Sequence, residues 1–440
     1  MAMALRRTLA WLQHPWLIVG VALCLRVAWM LAYAPWDDSH TRLIDRAPNP
    51  DSGSYQEVAL ALLRYWNAPG QAIVEMPEAI DSIIIRAPGY SLVMAVLYAL
   101  FGVNPVWVVI AQVCASVLNC ALVIAALQRI GTPLSAAFGG WLFALNPTLI
   151  DYTQLVLTET LFVLGMTLVL YAFALFRAQP NPAVLRAGFG VGAALALTTL
   201  IRPSPLWLIP VLGVVGIYAR PLPVRARGLW LAGYLAGVLT LFVPWAAYNR
   251  VHYDSWRLTL AGELYLLDMT GLAVAQMRKP IHQARAVLEA EAFAQMRRDG
   301  LDPDRQIFER GRYYRAVALH YIQQHPNDVA YYWLRGMLFF WRSAGGPSTG
   351  NEWIISSRAV RFWFQGYYFA YLVALIAGLW LTWRAQRWWA VLFLLTAFYF
   401  TLSAGCSGNA RFRLQTFAFS LPVIALGLDT LRRRGVSREV

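Results

Sequence analysis

Residues 49–90 read NPDSGSYQEVALALLRYWNAPGQAIVEMPEAIDSIIIRAPGY, and they belong to the most polar section in the first third of the chain. The stretch opens with an acid, Asp51, between a proline and a short Ser/Gly segment. It closes with Arg86-Ala87-Pro88-Gly89-Tyr90. Strongly apolar sequence lies on both sides of it. A long polar loop between apolar runs predicts a segment held at a membrane surface.

The composition of the whole chain supports this interpretation. Of its 440 residues, 59% are hydrophobic and only 14% are charged, whereas soluble domains average roughly 45–50% apolar and about 25% charged residues. Apolar runs of near-spanning length recur from Leu17 to Leu431, and about 20 such residues cross a hydrocarbon core of about 30 Å. The sequence therefore predicts an all-α polytopic membrane protein with about ten transmembrane helices.

The net charge of +14 would suggest a nucleic-acid partner in a soluble protein. Here many basic residues lie in short links between apolar runs, where the positive-inside rule places them. Arg129, Arg177, Arg186, Arg220, Arg384 and Arg387 are examples. We therefore attribute the charge to topology and expect membrane lipids, and no nucleic acid, as partners.

The same rule decides how the first part of the chain crosses the membrane. Pro15–Pro35 is the first predicted span, and it delivers the loop Trp36–Arg86 to the outer side. Tyr90–Gly102 is too short to cross alone, and if it crossed, Arg129 would lie outside. We therefore predict that Tyr90–Gly102 is an interfacial or re-entrant helix, that both termini are cytoplasmic, and that the protein crosses the membrane several times.

The topology divides the chain into three parts. Residues 1–248 are predicted to form a transmembrane module whose first outer loop covers residues 36–104. Residues 249–359 form an extracytoplasmic helical cap with an interfacial segment, and residues 360–440 form the C-terminal transmembrane helices.

Within the predicted cap, Ala284–Arg298 and Gln306–Gln324 have the apolar periodicity of helices with one polar face. Tyr331–Trp341 is apolar but short, and Arg335 interrupts it. That segment could span, re-enter or lie at the interface.

Two acids on the predicted outer face are candidate catalytic residues. Asp51 could serve only as a turn residue or N-cap of a helix, but as a carboxylate it could also accept a proton from a hydroxyl. Glu159 lies among apolar residues at the outer end of a span, where an ionisable group is a functional candidate by default. We expect Asp151, after the turn at Asn146-Pro147, to be an exposed turn acid.

Arginines, tyrosines and an asparagine on the same face are candidate substrate-binding residues. Guanidinium groups can hold a phosphate bidentately and offset the charge of a leaving phosphate. Arg202 opposes the positive-inside trend, so it either snorkels or contacts phosphate. The predicted substrate-binding residues are Tyr55, Arg86, Tyr90, Arg202, Asn249, Arg250, Arg411 and Arg413.

The sequence contains no phosphate-loop, dinucleotide-binding, zinc-protease or Gly-x-Ser-x-Gly pattern. His252, His320 and His325 form no pair with convincing metal spacing. With few clustered outer carboxylates as well, we expect no required metal ion and no other cofactor.

Several of these motifs, taken in chain order, resemble the GT-C membrane glycosyltransferases. They are more specifically similar to the bacterial protein O-mannosyltransferase-like group, glycosyltransferase family 39. The resemblance extends from Pro15 to about Gly262 and reappears near Asn409–Leu428. The motifs are Asp51-Ser52-Gly53-Ser54-Tyr55, Arg86-Ala87-Pro88-Gly89-Tyr90, Leu100-Phe101-Gly102, Asn146-Pro147, Leu157-Thr158-Glu159, Arg202-Pro203, Pro244-Trp245, Asn249-Arg250 and Ala410-Arg411-Phe412-Arg413.

The resemblance implies a GT-C fold with interfacial helices in the first outer loop. It also implies transfer of a sugar from a polyprenyl-phosphate-linked donor at the extracytoplasmic face of a bacterial inner membrane. Asp51 would match the family's general base, Glu159 the acid of the second loop, and the arginines would contact the donor phosphate. Eukaryotic protein mannosyltransferases carry an Asp-Glu pair in the first loop, whereas Ser52 follows Asp51 here. We therefore expect a lipid or glycan acceptor at least as much as a protein acceptor.

Two other function classes remain open from the sequence. A transporter or flippase of an amphiphilic anionic lipid would also place charges in its spans, although the matching inverted halves common in transporters are not visible. A structural membrane subunit would use its polar loops to bind a partner protein.

Overall fold

The computed structural model of this protein describes residues 11–37, 43–44, 51–67, 84, 87–180, 182–278, 281–348 and 356–436. Within these ranges the regular structure is helical, and no strand is present. Two 3₁₀-helices, Gly405–Ser407 and Ala410–Arg413, precede the last α-helix. The α-helices are α1 (Pro15–Tyr33), α2 (Asp51–Asn67), α3 (Gly89–Phe101), α4 (Val106–Ile130), α5 (Pro133–Ala144), α6 (Pro147–Tyr152), α7 (Glu159–Ala178), α8 (Val184–Ile201), α9 (Leu208–Ile217), α10 (Val224–Tyr253), α11 (Ala261–Arg278), α12 (Ile281–Arg298), α13 (Ile307–Gln324), α14 (Pro326–Arg342), α15 (Arg358–Ala385), α16 (Arg387–Ser403) and α17 (Leu414–Val436).

Seven of the described helices are long and apolar enough to cross a membrane, namely α1, α4, α7, α8, α10, α15 and α17 with the turn before it. Four shorter helices, α3, α5, α9 and α16, are also apolar. These four are shorter than the roughly 20 residues that cross a hydrocarbon core, so length and composition identify seven candidate spans among the described residues, where the sequence predicts about ten. The protein is an integral membrane protein with an all-α polytopic fold, as its composition predicts.

Both ends of α3 lie at one end of the helix bundle. We call the end where α7 begins and α8 ends the upper end, and the other the lower end. Gly89, at the start of α3, packs so closely on α8 that a Cβ would lie 2.6 Å from the carbonyl oxygen of Leu200. The helix that follows α3 begins at the upper end too, because its Gln112 donates hydrogen bonds to carbonyls of the upper turn 153–155. This geometry agrees with the prediction that Tyr90–Gly102 does not span.

The pair α8 and α10 packs through small residues. Gly188 and Gly192 on α8 face the backbone of α10, and Gly233 and Gly237 on α10 face the backbone of α8. A Cβ on Gly192 would lie 2.0 Å from the carbonyl oxygen of Tyr234. Glycine at four-residue spacing lets two transmembrane helices approach closely enough for backbone contact.

Helix α1 is joined to the bundle by a buried arginine. The Arg26 guanidinium donates to the hydroxyl of Ser116 at 2.7 Å and to the carbonyl oxygen of Ala144 at 3.2 Å. It also lies 5.6 Å from the ring centroid of Phe143. An intramembrane charge is held in this way by polar groups of neighbouring helices.

The segment that follows α10 forms a small helical unit with its own apolar core. The predicted helices Ala284–Arg298 and Gln306–Gln324 correspond to α12 and α13, and both pack on α11. Side chains from the three helices fill the space between them, and they are Leu264, Leu267, Leu288, Ala292, Met296, Tyr313, Tyr314, Val317 and Ala318.

Helix α14 contains the segment Tyr331–Trp341 and lies against the turn between α16 and α17. A Cβ on Gly336 would lie 2.1 Å from the carbonyl oxygen of Gly405, and the Trp333 indole donates to the carbonyl oxygen of Leu402 at 3.0 Å. Its opposite side exposes the apolar residues Tyr331, Leu334, Leu338 and Phe339. This placement favours an interfacial helix over a span or a re-entrant segment.

Candidate active site

Four charged residues from distant parts of the sequence meet at the upper end of the bundle. Asp51 is the first residue of α2, and Glu159 is the first residue of α7. Arg202 directly follows α8, and Arg411 lies in the 3₁₀-helix before α17. All four are among the residues predicted from the sequence.

Arg411 is the centre of this group, because its guanidinium binds both acids. Its Nη2 lies 3.3 Å from Oδ2 of Asp51, and its Nε donates to Oε1 of Glu159. The same carboxylate oxygen accepts a 2.6 Å hydrogen bond from Nη1 of Arg202. The four side chains thus form one chain of alternating charge, which we call the Arg411 network.

Burial differs along the network. Glu159 is 3% exposed, whereas the side chain of Asp51 is 20% exposed. A buried carboxylate is tolerated when charged hydrogen-bond donors compensate its lost hydration, and Arg411 and Arg202 supply them. Glu159 therefore suits a role in holding the arginines, while Asp51 is accessible to a substrate.

Local structure explains why these residues are where they are. Asp51 and Glu159 each occupy the first turn of a helix, where the helix dipole stabilises negative charge. The backbone N–H of Arg411 donates to the side chain of Asn409, which begins the 3₁₀-helix. The guanidinium of Arg202 packs over the ring of Phe412, with the guanidinium carbon 5.2 Å from the ring centroid.

Asp151 is buried, so the prediction of an exposed turn acid is wrong. One carboxylate oxygen accepts a 3.2 Å hydrogen bond from the indole of Trp29, and the other accepts a 2.6 Å hydrogen bond from the backbone of Ser348. The acid therefore ties α1 and the segment after α14 to the upper turn. The contact with Ser348 joins residues 197 apart in sequence, which no local pattern at Asn146-Pro147 could indicate.

Tyr152, next to Asp151, is a residue that the sequence analysis missed. Its phenol lies close enough to Arg411 and Glu159 to interact with both, and burial raises its pKa to about 12. It is therefore a neutral hydroxyl at physiological pH beside the Arg411 network. Tyr152 lies in the helix before the turn 153–158, while Glu159 begins the helix after it. Only the geometry of that turn brings the tyrosine to the network.

The two predicted tyrosines, Tyr55 on α2 and Tyr90 on α3, pack together between these helices. The rings of Tyr55 and Tyr90 are 4.8 Å apart in an edge-to-face arrangement. The Tyr90 hydroxyl donates to Oε1 of Gln112 at 3.2 Å. Both tyrosines are buried, so they support the position of α2 and of its first residue.

Arg413 is engaged on another side of the same 3₁₀-helix. Its guanidinium donates to the carbonyl oxygens of Phe340 and Ser343, each at 2.7 Å, and lies 3.7 Å from the ring centroid of Tyr368. A cavity of about 20 Å³ beside it has room for a water molecule. Arg413 therefore connects α14 and α15 to the segment that carries Arg411.

Three further predicted binding residues have other surroundings. The Asn249 amide is buried and donates to the carbonyl oxygen of Arg257 at 2.8 Å. Arg250 pairs with Asp254 at the surface, and neither of these bonds leads to the Arg411 network. Arg86 lies outside the described residues.

No group of three or more histidine, cysteine, aspartate or glutamate side chains that could hold a metal ion is found in the part of the chain that the structure describes. The two acids of the site, Asp51 and Glu159, both approach the guanidinium of Arg411.

Comparison with known proteins shows a likeness of fold to solved structures. No family model matches the sequence, and no curated protein is significantly similar to it. Among solved structures, the archaeal oligosaccharyltransferase AglB from Archaeoglobus fulgidus, in complex with an inhibitory peptide and a dolichol-phosphate, is similar with a TM-score of 0.53 and 12% identity. The match covers 97% of this chain and 52% of AglB, so the chain spans about half the length of that protein.

ArnT from Cupriavidus metallidurans is also similar, at 17% identity and a TM-score of 0.42 in the apo state. The values are 19% and 0.38 for ArnT bound to undecaprenyl phosphate. These matches cover 93% and 95% of this chain, and 77% of ArnT in each case. The likeness to AglB is one of fold, and it confirms the prediction of an all-α polytopic membrane protein with a GT-C fold.

Proposed function

We propose that this chain is a glycosyltransferase that moves a sugar from a polyprenyl-phosphate-linked donor to a hydroxyl group of an acceptor. The observation that carries the proposal is the Arg411 network, in which an accessible carboxylate and a buried one share a single guanidinium. In this proposal Asp51 is the base and Arg411 a phosphate-binding group, and the two side chains lie 3.3 Å apart.

In the proposed reaction, Asp51 is the general base. The acceptor hydroxyl oxygen forms a bond to the anomeric carbon of the donor sugar, and its proton passes to the Asp51 carboxylate. The bond between the anomeric carbon and the phosphate oxygen breaks, and its electron pair stays on the leaving polyprenyl phosphate. The partial exposure of Asp51 leaves room for the hydroxyl to approach.

Arg411 and Arg202 are proposed to stabilise the leaving phosphate. Charged hydrogen bonds from guanidinium groups are strong, and they gain strength as negative charge develops on the phosphate oxygens. Glu159 binds both arginines through one oxygen, which fixes their spacing before the substrate arrives. Glu159 is thus a positioning residue in this proposal, while Asp51, Arg411 and Arg202 contact reacting groups.

The fold supports the choice of donor. AglB shares the fold and is an oligosaccharyltransferase in complex with a dolichol-phosphate, and this chain is proposed to use a donor of the same chemical class. Fold alone does not define chemistry, so the Arg411 network carries the argument for transfer. Tyr55, Arg86, Tyr90, Asn249, Arg250 and Arg413 remain proposed substrate-binding or supporting residues.

The finer assignment follows the sequence resemblance. We propose the bacterial protein O-mannosyltransferase-like group, a hexosyl or pentosyl donor sugar, and no required metal ion. The upper end of the bundle would face the extracytoplasmic side of the inner membrane. Residues 1–248 would form the catalytic module, 249–359 the cap and 360–440 the C-terminal spans. Because Ser52 follows Asp51, a lipid or glycan acceptor is proposed ahead of a protein.

Asp51→Asn in the purified full chain tests the proposal. The amide keeps the size of the side chain but cannot accept the proton, so we expect transfer from polyprenyl-phosphate sugars to fall roughly 10²- to 10⁴-fold. Asp37→Asn is the matched control, because Asp37 is an exposed acid after α1, and it should leave the rate within about twofold. Full activity of Asp51→Asn would exclude Asp51 as the base.

A transporter or flippase is the second candidate function, since charges among spans also mark translocation paths. It predicts that wild-type protein in vesicles moves an anionic polyprenyl lipid between leaflets while transferring no sugar from any such donor. Sugar transfer without lipid movement supports the glycosyltransferase proposal.

A further inference from the structure

A surface groove lies between α15 and α16 at the lower end of the bundle, away from the Arg411 network. Helix α15 begins at the upper end, where Tyr368 contacts Arg413, so its last turns lie at the lower end. The groove has a volume of about 470 Å³. Its lining residues are Ile376, Leu379, Trp380, Trp383, Arg384 and Leu394.

The groove is lined by apolar side chains along most of its length, and it opens on the outer surface of the helix bundle. Ile376 is 69% exposed, and Leu394 on the facing helix is exposed as well. Because α15 is long and apolar enough to span, these side chains face the hydrocarbon region rather than water. An acyl chain is the natural occupant of an apolar groove at that depth.

The lower end of the groove is basic. The Arg384 guanidinium carbon lies 4.6 Å from the ring centroid of Trp380, and that of Arg387 lies 5.4 Å from the centroid of Trp383. Cation–π contacts of this kind hold a guanidinium over an indole while its N–H donors remain available. Among the described residues, no carboxylate forms an ion pair with either arginine.

We propose that this groove binds an anionic phospholipid from the leaflet at the lower end. An acyl chain would lie along Ile376 and Leu394, and the headgroup phosphate would lie between Arg384 and Arg387. Basic pockets between transmembrane helices bind anionic headgroups in this way, and tryptophan is enriched at headgroup depth. The site is independent of sugar transfer at the upper end.

Charge decides between a lipid and a second copy of this chain. The lower end also carries Arg129, Arg177, Arg186, Arg220 and Arg225, so a second copy packed in parallel would bring further positive charge against Arg384 and Arg387. Like charges at an interface cost free energy. A phosphate supplies the opposite charge.

Binding of phosphatidylglycerol to the delipidated full chain, counted by native mass spectrometry, tests the proposal. Arg384→Gln combined with Arg387→Gln should weaken binding by roughly 10- to 30-fold, since each basic side chain near a headgroup contributes about one kcal/mol. Phosphatidylcholine should bind the wild type more weakly than phosphatidylglycerol.

The matched control removes two other exposed arginines at the lower end, Arg186→Gln with Arg225→Gln. It makes the same change in net charge outside the groove and should leave binding within about twofold. Leu394→Trp, which fills the groove and keeps both arginines, should weaken binding several-fold.

Three results would overturn the proposal. The first is wild-type affinity in the Arg384/Arg387 variant, and the second is equal loss in the control variant. The third is a disulfide between two copies through a cysteine introduced at Ile376, which would identify a second chain as the occupant. Since the changed side chains lie at the surface, an unchanged melting temperature is the check that each variant is folded.

Discussion

Arg411 is the residue on which the geometry of the candidate site depends. It joins the start of α2, through Asp51, to the start of α7, through Glu159. These contacts connect positions 360 and 252 residues apart in the sequence. From the sequence alone, Arg411 could equally be a flanking charge, and only the fold gives it two carboxylate partners.

Replacing Glu159 with glutamine should destabilise the protein and reduce transfer. The amide preserves the size of the side chain but leaves Arg411 and Arg202 without their shared carboxylate. Breaking a buried ion pair by removing one charge costs about 3–5 kcal/mol, and partial exposure of Arg202 places the expected loss near the lower value. Unfolding free energy in detergent, together with the transfer rate, measures both effects.

Glu263→Gln is the control for that experiment. Glu263 pairs with Arg257 at 3.3 Å, but both side chains are substantially exposed, and such pairs contribute about 0–1 kcal/mol. Equal losses in the two variants would contradict the role assigned to the Arg411 network.

The sequence was sufficient to predict the acids and arginines of the site but not their partners. Glu159 and Arg202 were predicted because an ionisable residue in an apolar context is unusual. Asp151 was misjudged because its partners, Trp29 and Ser348, lie far away in the chain. Local pattern cannot indicate burial that arises from contacts of that range.

Among the described helices, the pair α8 and α10 packs with backbone directly against backbone. The signal for it is present in the sequence as Gly188-x-x-x-Gly192 and Gly233-x-x-x-Gly237, a spacing typical of transmembrane helix contacts. The contact matters for the site because α8 ends directly before Arg202.

Gly192→Leu should separate these helices and destabilise the fold. Even a Cβ at Gly192 would lie 2.0 Å from the carbonyl oxygen of Tyr234, so the backbone of α10 has to move. Overpacking costs about 1–3 kcal/mol, and we expect the upper part of that range in a detergent unfolding experiment. Gly190→Leu is the control on the same helix, because a Cβ there meets no atom within 4 Å. A comparable loss of unfolding free energy in the Gly190 variant would show that helix propensity, and not packing, is responsible.

The placement of helix α14 could not be predicted from the sequence. The length of Tyr331–Trp341 and its interruption by Arg335 are compatible with a span, a re-entrant segment or an interfacial helix. The choice depends on two glycines: a Cβ on Gly336 would lie 2.1 Å from the carbonyl oxygen of Gly405, and a Cβ on Gly408 would lie 2.3 Å from that of Gly336. This contact between residues distant in sequence holds α14 across the turn between α16 and α17, with its apolar side outward.

At the scale of the whole molecule, composition was enough to predict an all-α membrane protein, and the positive-inside rule predicts which side of the membrane each end of the bundle faces. Neither could predict the Arg411 network at the upper end, because its four members lie in four separate parts of the sequence. The structure places Asp51, Glu159, Arg202 and Arg411 at one end of the bundle. The remaining question for the whole molecule is which side of the membrane that end faces.

Cysteine labelling in intact cells can answer it, with single cysteines in a chain whose four native cysteines have been replaced. Asn104 lies between α3 and α4 at the upper end, and Gln179 directly follows α7 at the lower end. We expect a membrane-impermeant thiol reagent to label the cysteine at position 104 from outside and the one at position 179 only after the membrane is opened. The physical reason is the placement of Arg129, Arg177 and Arg220 at the lower end, since basic links stay in the cytoplasm. The reverse labelling pattern would place the Arg411 network in the cytoplasm, where a donor presented at the extracytoplasmic face could not reach it.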